Sequence, residues 1–128
     1  MNDNTITASN PEFAASLTAA EDGILLLKGC KACGKVHYYP RAICPLCGSD
    51  KTVWRDAAGG GELYSFCVSR RANPPYCIAY VRLDEGPIIL TNIVDAEFDA
   101  LRIGQRVALR FKDGPDGQPL AMFTPSVP

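Results

Sequence analysis

A mainly β protein with one short N-terminal helix is predicted: a rubredoxin-like zinc ribbon followed by a five-stranded barrel of the OB type. Two observations carry this. Residues 30–48 read CKACGKVHYYPRAICPLCG, two Cys-x-x-Cys-Gly turns separated by ten residues. After Gly59-Gly60-Gly61, five short apolar-rich runs follow one another between turn residues as far as Phe123. The expected division is 1–29 for an N-terminal tail, helix and lead-in strand, 30–58 for the ribbon and 59–128 for the barrel.

The elements follow in order. Residues 1–9 read as a frayed end. Asn10-Pro11-Glu12 is a helix start, because Asn caps and Pro suits the first helical position. Phe13, Leu17 and Ala20 then share one helical face, and Asp22-Gly23 ends the helix. Ile24 to Lys28 leads in extended form to the first cysteine turn. Thr52-Val53-Trp54 closes the ribbon, and Gly59-Gly60-Gly61 reads as a flexible joint. The barrel strands are Leu63–Val68, Cys77–Leu83, Ile88–Val94, Gln105–Lys112 and Leu120–Phe123. Asp113 to Gly117 is a hairpin loop. The longer connection from Asp95 to Gly104 fits the one non-hairpin link of a small Greek-key barrel.

The 128 residues suit one ordinary domain or two very small modules. The composition is globular, with 47% hydrophobic and 21% charged residues. A formal net charge of −1 gives the whole molecule no strong pull toward nucleic acid or anionic membrane. That total hides a basic segment: residues 28–55 carry Lys28, Lys31, Lys35, Arg41, Lys51 and Arg55 against Asp50 alone. The longest aliphatic run, Ile24 to Leu27, is far too short to span a bilayer. The opening MNDNTITASNPEF lacks the basic and apolar regions of a secretory signal. The expectation is a soluble, cytoplasmic protein, where thiols stay reduced and six cysteines do not make a disulfide framework.

Four of those cysteines have zinc spacing. Zinc takes four soft ligands in a tetrahedron, and each Cys-x-x-Cys turn supplies two sulfurs. Gly34 and Gly48 allow the backbone to turn its N–H groups toward them. Cys30, Cys33, Cys44 and Cys47 are therefore the candidate metal ligands. Iron suits the same four sulfurs. Four thiolates leave no open position for substrate, so the metal is expected to be structural. Between the turns lie His37, Tyr38, Tyr39 and Arg41, either a contact patch or, for the tyrosines, cover for the ribbon core. His37, the single histidine, has no acid partner in view and reads as a surface residue. Cys67 and Cys77 read as buried small hydrophobes within strands. No catalytic constellation is visible.

Taken together these residues resemble the DUF35 family of zinc-ribbon and OB-fold proteins. The likeness rests on Cys30 to Gly34, Pro40-Arg41, Cys44-Pro45-Leu46-Cys47-Gly48-Ser49, the glycine link, Tyr80 to Gly86 and Ile103-Gly104-Gln105-Arg106-Val107. It covers nearly the whole chain from about Pro11 onward. Phe13 is followed by Ala14 where the family often carries an aromatic pair. The resemblance implies a non-catalytic accessory subunit in a hetero-oligomer with a thiolase-like or hot-dog hydratase-like catalytic subunit. Such complexes work on acyl-CoA, by acyl transfer or by cleavage or formation of C–C bonds in the thiolase superfamily. It also implies contact of the barrel with coenzyme A. For such contact Arg70, Arg71, Arg82, Arg106 and Arg110 are available, although these residue types also make solvated strand edges.

Two other classes compete. A single-stranded nucleic-acid-binding module would use ribbon and barrel together. It fits the basic segment 28–55 but not residues 56–128, where seven bases face nine acids. An electron carrier would need iron in the clasp.

Overall fold

The computed structural model describes residues 11–38, 40–115 and 117–126. Helix α1 (Pro11–Glu21) opens the described chain. The proposed cap Asn10, the Phe13 side chain and the predicted fraying of residues 1–9 lie outside the described residues. The helix ends as expected: Gly23 adopts φ +76° and its N–H bonds to the Ala20 carbonyl. Among the described residues no helix is long and apolar enough to cross a membrane.

A three-stranded antiparallel sheet follows, in the order β2-β1-β3, from β1 (Leu26–Cys30), β2 (Val36–His37) and β3 (Thr52–Asp56). The lead-in segment thus supplies the central strand of the ribbon. Cys30 sits at the end of β1 and is paired with Thr52, so the sheet register sets where the first sulfur lies.

The second half is a closed barrel of β4 (Gly60–Ser69), β5 (Tyr76–Leu83), β6 (Ile88–Ile93), β7 (Arg106–Asp113) and β8 (Pro119–Pro125). Strand order around it is β4-β5-β6-β8-β7, with β6 and β8 parallel and the other pairs antiparallel. That is the Greek-key closure of an OB-fold. The expected long connection carries a short 3₁₀ turn, Phe98–Ala100, beside buried Leu101. β5 alternates exposed and buried along its whole length, and Cys77, Ala79, Val81 and Leu83 point inward.

The core does not stop at the barrel wall. Leu25 and Leu27 from the lead-in join the same buried cluster as Leu63, Val81, Val107 and Phe123. Val36, Tyr38 and Ala57 pack against it. Ribbon and barrel therefore share apolar surface.

The glycine link is not the flexible joint predicted from composition. Gly60 and Gly61 are the first residues of β4 and pair with β7. The chain on either side is held too: Ala57 N–H donates to the Leu25 carbonyl and Ala58 N–H to Glu85 Oε2 at 2.7 Å. Leu109 N–H donates to the Gly59 carbonyl. Close approach is what requires glycine here. A Cβ on Gly61 would lie 2.6 Å from Val81 Cγ1 and 2.8 Å from the Arg82 carbonyl oxygen. Over Gly60, Arg106 and Asp84 form a two-pronged ion pair at 2.8 and 2.9 Å. The two barrel turns that carry the family resemblance thus meet above the link.

Gly61→Ala should cost about 1–3 kcal/mol, as overpacking against backbone does, read as a lowered urea midpoint. The Arg106 guanidinium bonded to Asp84 holds that carboxyl below its ordinary value. A carboxyl depressed on folding stabilises the fold above its unfolded pKa and loses that contribution as pH falls through the folded value. Stability should therefore decline on acidification, and less steeply in Asp84→Asn. The pair is half-exposed, so the difference should be small and should shrink with added salt.

Candidate metal centre

The four candidate ligands converge. The sulfurs of Cys30, Cys33, Cys44 and Cys47 all lie within 4.8 Å of one another. Cys30 and Cys47 are 3.6 Å apart and Cys33 and Cys44 3.9 Å, sulfur to sulfur. A tetrahedron with metal–sulfur bonds of about 2.3 Å has edges of about 3.8 Å, so these distances fit a single ion. Cys30 and Cys44 are buried, Cys33 is half-buried and Cys47 is exposed.

Both turns are built alike. Gly34 N–H donates to the Cys30 carbonyl and Gly48 N–H to the Cys44 carbonyl, each at 2.8 Å. Cys30 N–H reaches the Lys35 carbonyl, and Cys44 N–H the Ser49 carbonyl. Gly34 and Gly48 take φ of +76° and +80°, a left-handed backbone that costs glycine little. The turns also aim N–H groups at sulfur: Leu46 N–H donates to Cys44 Sγ at 3.4 Å. The N–H of Cys33, with that of Ala32, lowers the Cys30 thiol to about 7. Cys47 behaves oppositely. The Ser49 N–H favours its thiolate, but the Cys30 thiol and the other crowded sulfurs push it up to about 11. Four thiols this close cannot all ionise without a cation among them, which is the chemistry of a metal-ready donor set.

The second turn is anchored to β3. Thr52 Oγ1 donates to the Ala42 carbonyl, and the first turn is held to the start of the same strand by Lys31 N–H donating to the Lys51 carbonyl. Lys28 is buried, with Nζ 4.2 Å from the Trp54 ring centroid. Nothing in the sequence pattern marked that contact.

His37 is not at the surface. It is 5% exposed, and Nε2 accepts the Arg41 N–H at 3.3 Å. Burial lowers its pKa, with the Lys28 and Arg41 charges adding to the effect. Register explains the correction: His37 pairs with buried Lys28 on β1. Tyr38 packs against the common core, and Tyr39 lies outside the described residues. Cys77 is buried as expected, and desolvation raises its thiol. Cys67 is exposed instead, opposite outward-facing Ile78. A register irregularity between Leu63 and Ser65 shifts the β4 alternation that a regular strand would have kept.

The barrel arginines do not converge on one site. Arg70 pairs with Asp99, Arg106 with Asp84 and Arg110 with Asp95. The Arg82 guanidinium lies 5.1 Å from the Tyr64 ring centroid.

Comparison with known proteins agrees with this layout. Family models of the ChsH2 rubredoxin-like zinc ribbon domain and the ChsH2 C-terminal OB-fold domain match residues 17–53 and 54–112. A probable enoyl-CoA hydratase alpha subunit of Thermomonospora curvata is 33% identical over 126 residues. The match takes in 94% of this chain but only 40% of that protein's length. A DUF35 domain-containing scaffold protein of Methanocaldococcus jannaschii is 36% identical over 100 residues, covering 69% of this chain and 70% of the relative. Among solved structures, an Ltp2-ChsH2(DUF35) aldolase chain superposes with a TM-score of 0.79 at 32% identity, over 92% of this chain and 97% of its own. A DUF35 protein of Sulfolobus solfataricus has the same fold, with a TM-score of 0.70 at 13% identity over 91% of this chain and 87% of its own.

The purified chain should hold about one metal ion, measured by plasma emission spectrometry, since four thiolates complete one tetrahedral site. A colourless preparation means zinc; a red one with a reversible redox couple means iron. Cys44→Ser should lose the ion under a chelator that leaves the parent chain loaded.

Proposed function

We propose, from the premise that this chain belongs to the DUF35 family, that it is a non-catalytic accessory subunit that docks to and completes a CoA-dependent enzyme complex. The observation that carries the reading is the four-sulfur cluster. Cys30, Cys33, Cys44 and Cys47 would hold one zinc ion in a filled shell, and the ion would order the ribbon. About thirty residues cannot fold on their own apolar surface, and structural zinc supplies about 10–16 kcal/mol of apparent binding energy in small fingers. What the chain's own residues do is hold a shape: sulfurs clasp the turns, Thr52 ties the second turn to the sheet, and Glu85 ties the link to the barrel. The modules in this reading are the helix with its lead-in to residue 29, the ribbon to 58 and the barrel from 59.

The catalytic subunit is proposed to be thiolase-like, or a hydratase of the hot-dog class. The names of the relatives favour acyl-CoA chemistry: one is a probable enoyl-CoA hydratase subunit and one belongs to an aldolase, an enzyme of carbon–carbon bonds. Reduced thiolates suit the cytoplasm. Ion pairing weakens the nucleic-acid reading, because Arg70, Arg106, Arg110 and Lys112 face carboxylates rather than an open groove.

Co-expression with the neighbouring thiolase-like or hydratase-like protein should give one complex on size exclusion. The complex should turn over acyl-CoA, and the isolated chain should not. Cys30→Ser or Cys44→Ser should lose the partner in a pull-down. The barrel's circular dichroism should survive, with a lower melting temperature because Leu25 and Leu27 belong to the shared core. Turnover by the isolated chain, or normal partner binding by metal-free protein, would overturn the reading.

A further inference from the structure

The ribbon and the barrel leave a cleft of about 680 Å³ between them. Leu46 and Pro45 of the second cysteine turn form one wall, and Pro87 and Ile88 at the start of β6 the other. Leu46 is 57% exposed. From Ile88 the apolar surface runs on across the outside of the barrel. Leu90 stands two residues along β6, and its partner on β5 is Tyr80, followed outward by Ile78. All four are more than 40% exposed. The solvent face of a barrel strand is normally polar, and a contiguous apolar tract of this kind marks a binding surface.

Two polar atoms at the cleft wall are buried and unsatisfied. His37 lines it. Its Nε2 accepts the Arg41 N–H, which puts the proton of the neutral ring on Nδ1, and that atom has no partner among the described residues. Glu85 Oε1 is equally without a partner, although Oε2 is bound to Ala58. Both atoms are buried, so neither is open to a partner. Lys35 and Arg55 stand at the same cleft, and neither belongs to any ion pair among the described residues.

We infer that the cleft and the outer face of β5 and β6 form one docking surface for an apolar segment of the catalytic subunit, flanked in that subunit by carboxylates. Apolar side chains cover Leu46, Ile88, Leu90 and Tyr80, and the flanking carboxylates meet Lys35 and Arg55. A nucleic acid does not match, because Ile88, Leu90, Tyr80 and Ile78 make the tract apolar and Arg82, paired with Ile88, is the one cation on the outward face of β5 and β6. A second copy does not match either. It would present this same face, where among the described residues Glu85 is the one acid lining the cleft, against Lys35 and Arg55.

This inference rests on the accessory-subunit reading, and its test separates the two. The complex of this chain with its co-purified catalytic subunit is titrated by calorimetry for the parent and for Leu90→Asp, Leu46→Asp and, as a control on β8, Leu120→Asp. Each of these side chains is exposed, so the fold should stand, and thermal melts of the free variants check it. Leu90→Asp and Leu46→Asp should each weaken binding at least about tenfold, as loss of a central anchor does, and Leu120→Asp should not. Amides of β5, β6 and the second cysteine turn should gain protection from hydrogen exchange in the complex. A complex of unchanged affinity in both cleft-face variants overturns the inference and leaves the accessory role standing. Equal weakening by Leu120→Asp, self-association of the parent chain that Leu90→Asp abolishes, or retention on a single-stranded oligonucleotide lost with Leu90→Asp overturns it as well. Failure of any complex to form overturns both.

Discussion

Four sulfurs within 4.8 Å of one another are the constraint on which the first half of this molecule depends. Apart from them the ribbon has little to hold it. β2 is two residues long, and β3 is exposed along most of its length. The turn geometry places two sulfurs per loop at the right spacing, but crowded thiols resist ionising together: backbone N–H groups pull Cys30 down while the neighbouring sulfurs push Cys47 up. A bound cation removes that conflict and converts it into a cross-link between residues 30 and 47.

The cross-link alone would give a ribbon free to swing. The structure prevents this with groups from both sides of the link. Leu25, just before β1, and Leu27, within it, reach into the common core. After β3 the chain is caught by Leu25, Glu85 and Leu109 in quick succession. Asp84 and Arg106 then close over Gly60. The barrel motifs that make the sequence look like its family are thereby explained as architecture: Asp84, Glu85 and Arg106 fix where the ribbon stands.

Much of this was legible in the residues. The cysteine spacing, the helix bounds and all five barrel strands could be read because each rests on local pattern: a ligand pair in a turn, a proline start, a period of two. What could not be read depends on pairing between distant segments. His37 is buried because β1 lies beside it, and Cys67 is exposed because β4 slips register after Leu63. Gly59-Gly60-Gly61 looked like a flexible linker because composition cannot distinguish glycine chosen for freedom from glycine chosen for close approach. The outward apolar face did leave a signal. In Tyr76-Cys77-Ile78-Ala79-Tyr80-Val81 both alternating sets are apolar, which a strand with one wet face does not need.

The clasp and the docking face meet in the cost of association. A partner that had to order a loose ribbon while docking would lose affinity to the conformational entropy of that segment, at about 1–2 kcal/mol per residue fixed. Here the second cysteine turn, with Leu46 on it, is ordered in advance by the clasp, and the opposite wall by the barrel. The cleft between them exists only while both are in place. In the proposed complex a metal far from any reaction would act on a catalyst it never touches, by keeping one wall of the binding surface in position before the partner arrives. Because coupling between two binding events is reciprocal, the partner would in turn hold the metal more tightly, and the clasp and the interface would stabilise each other.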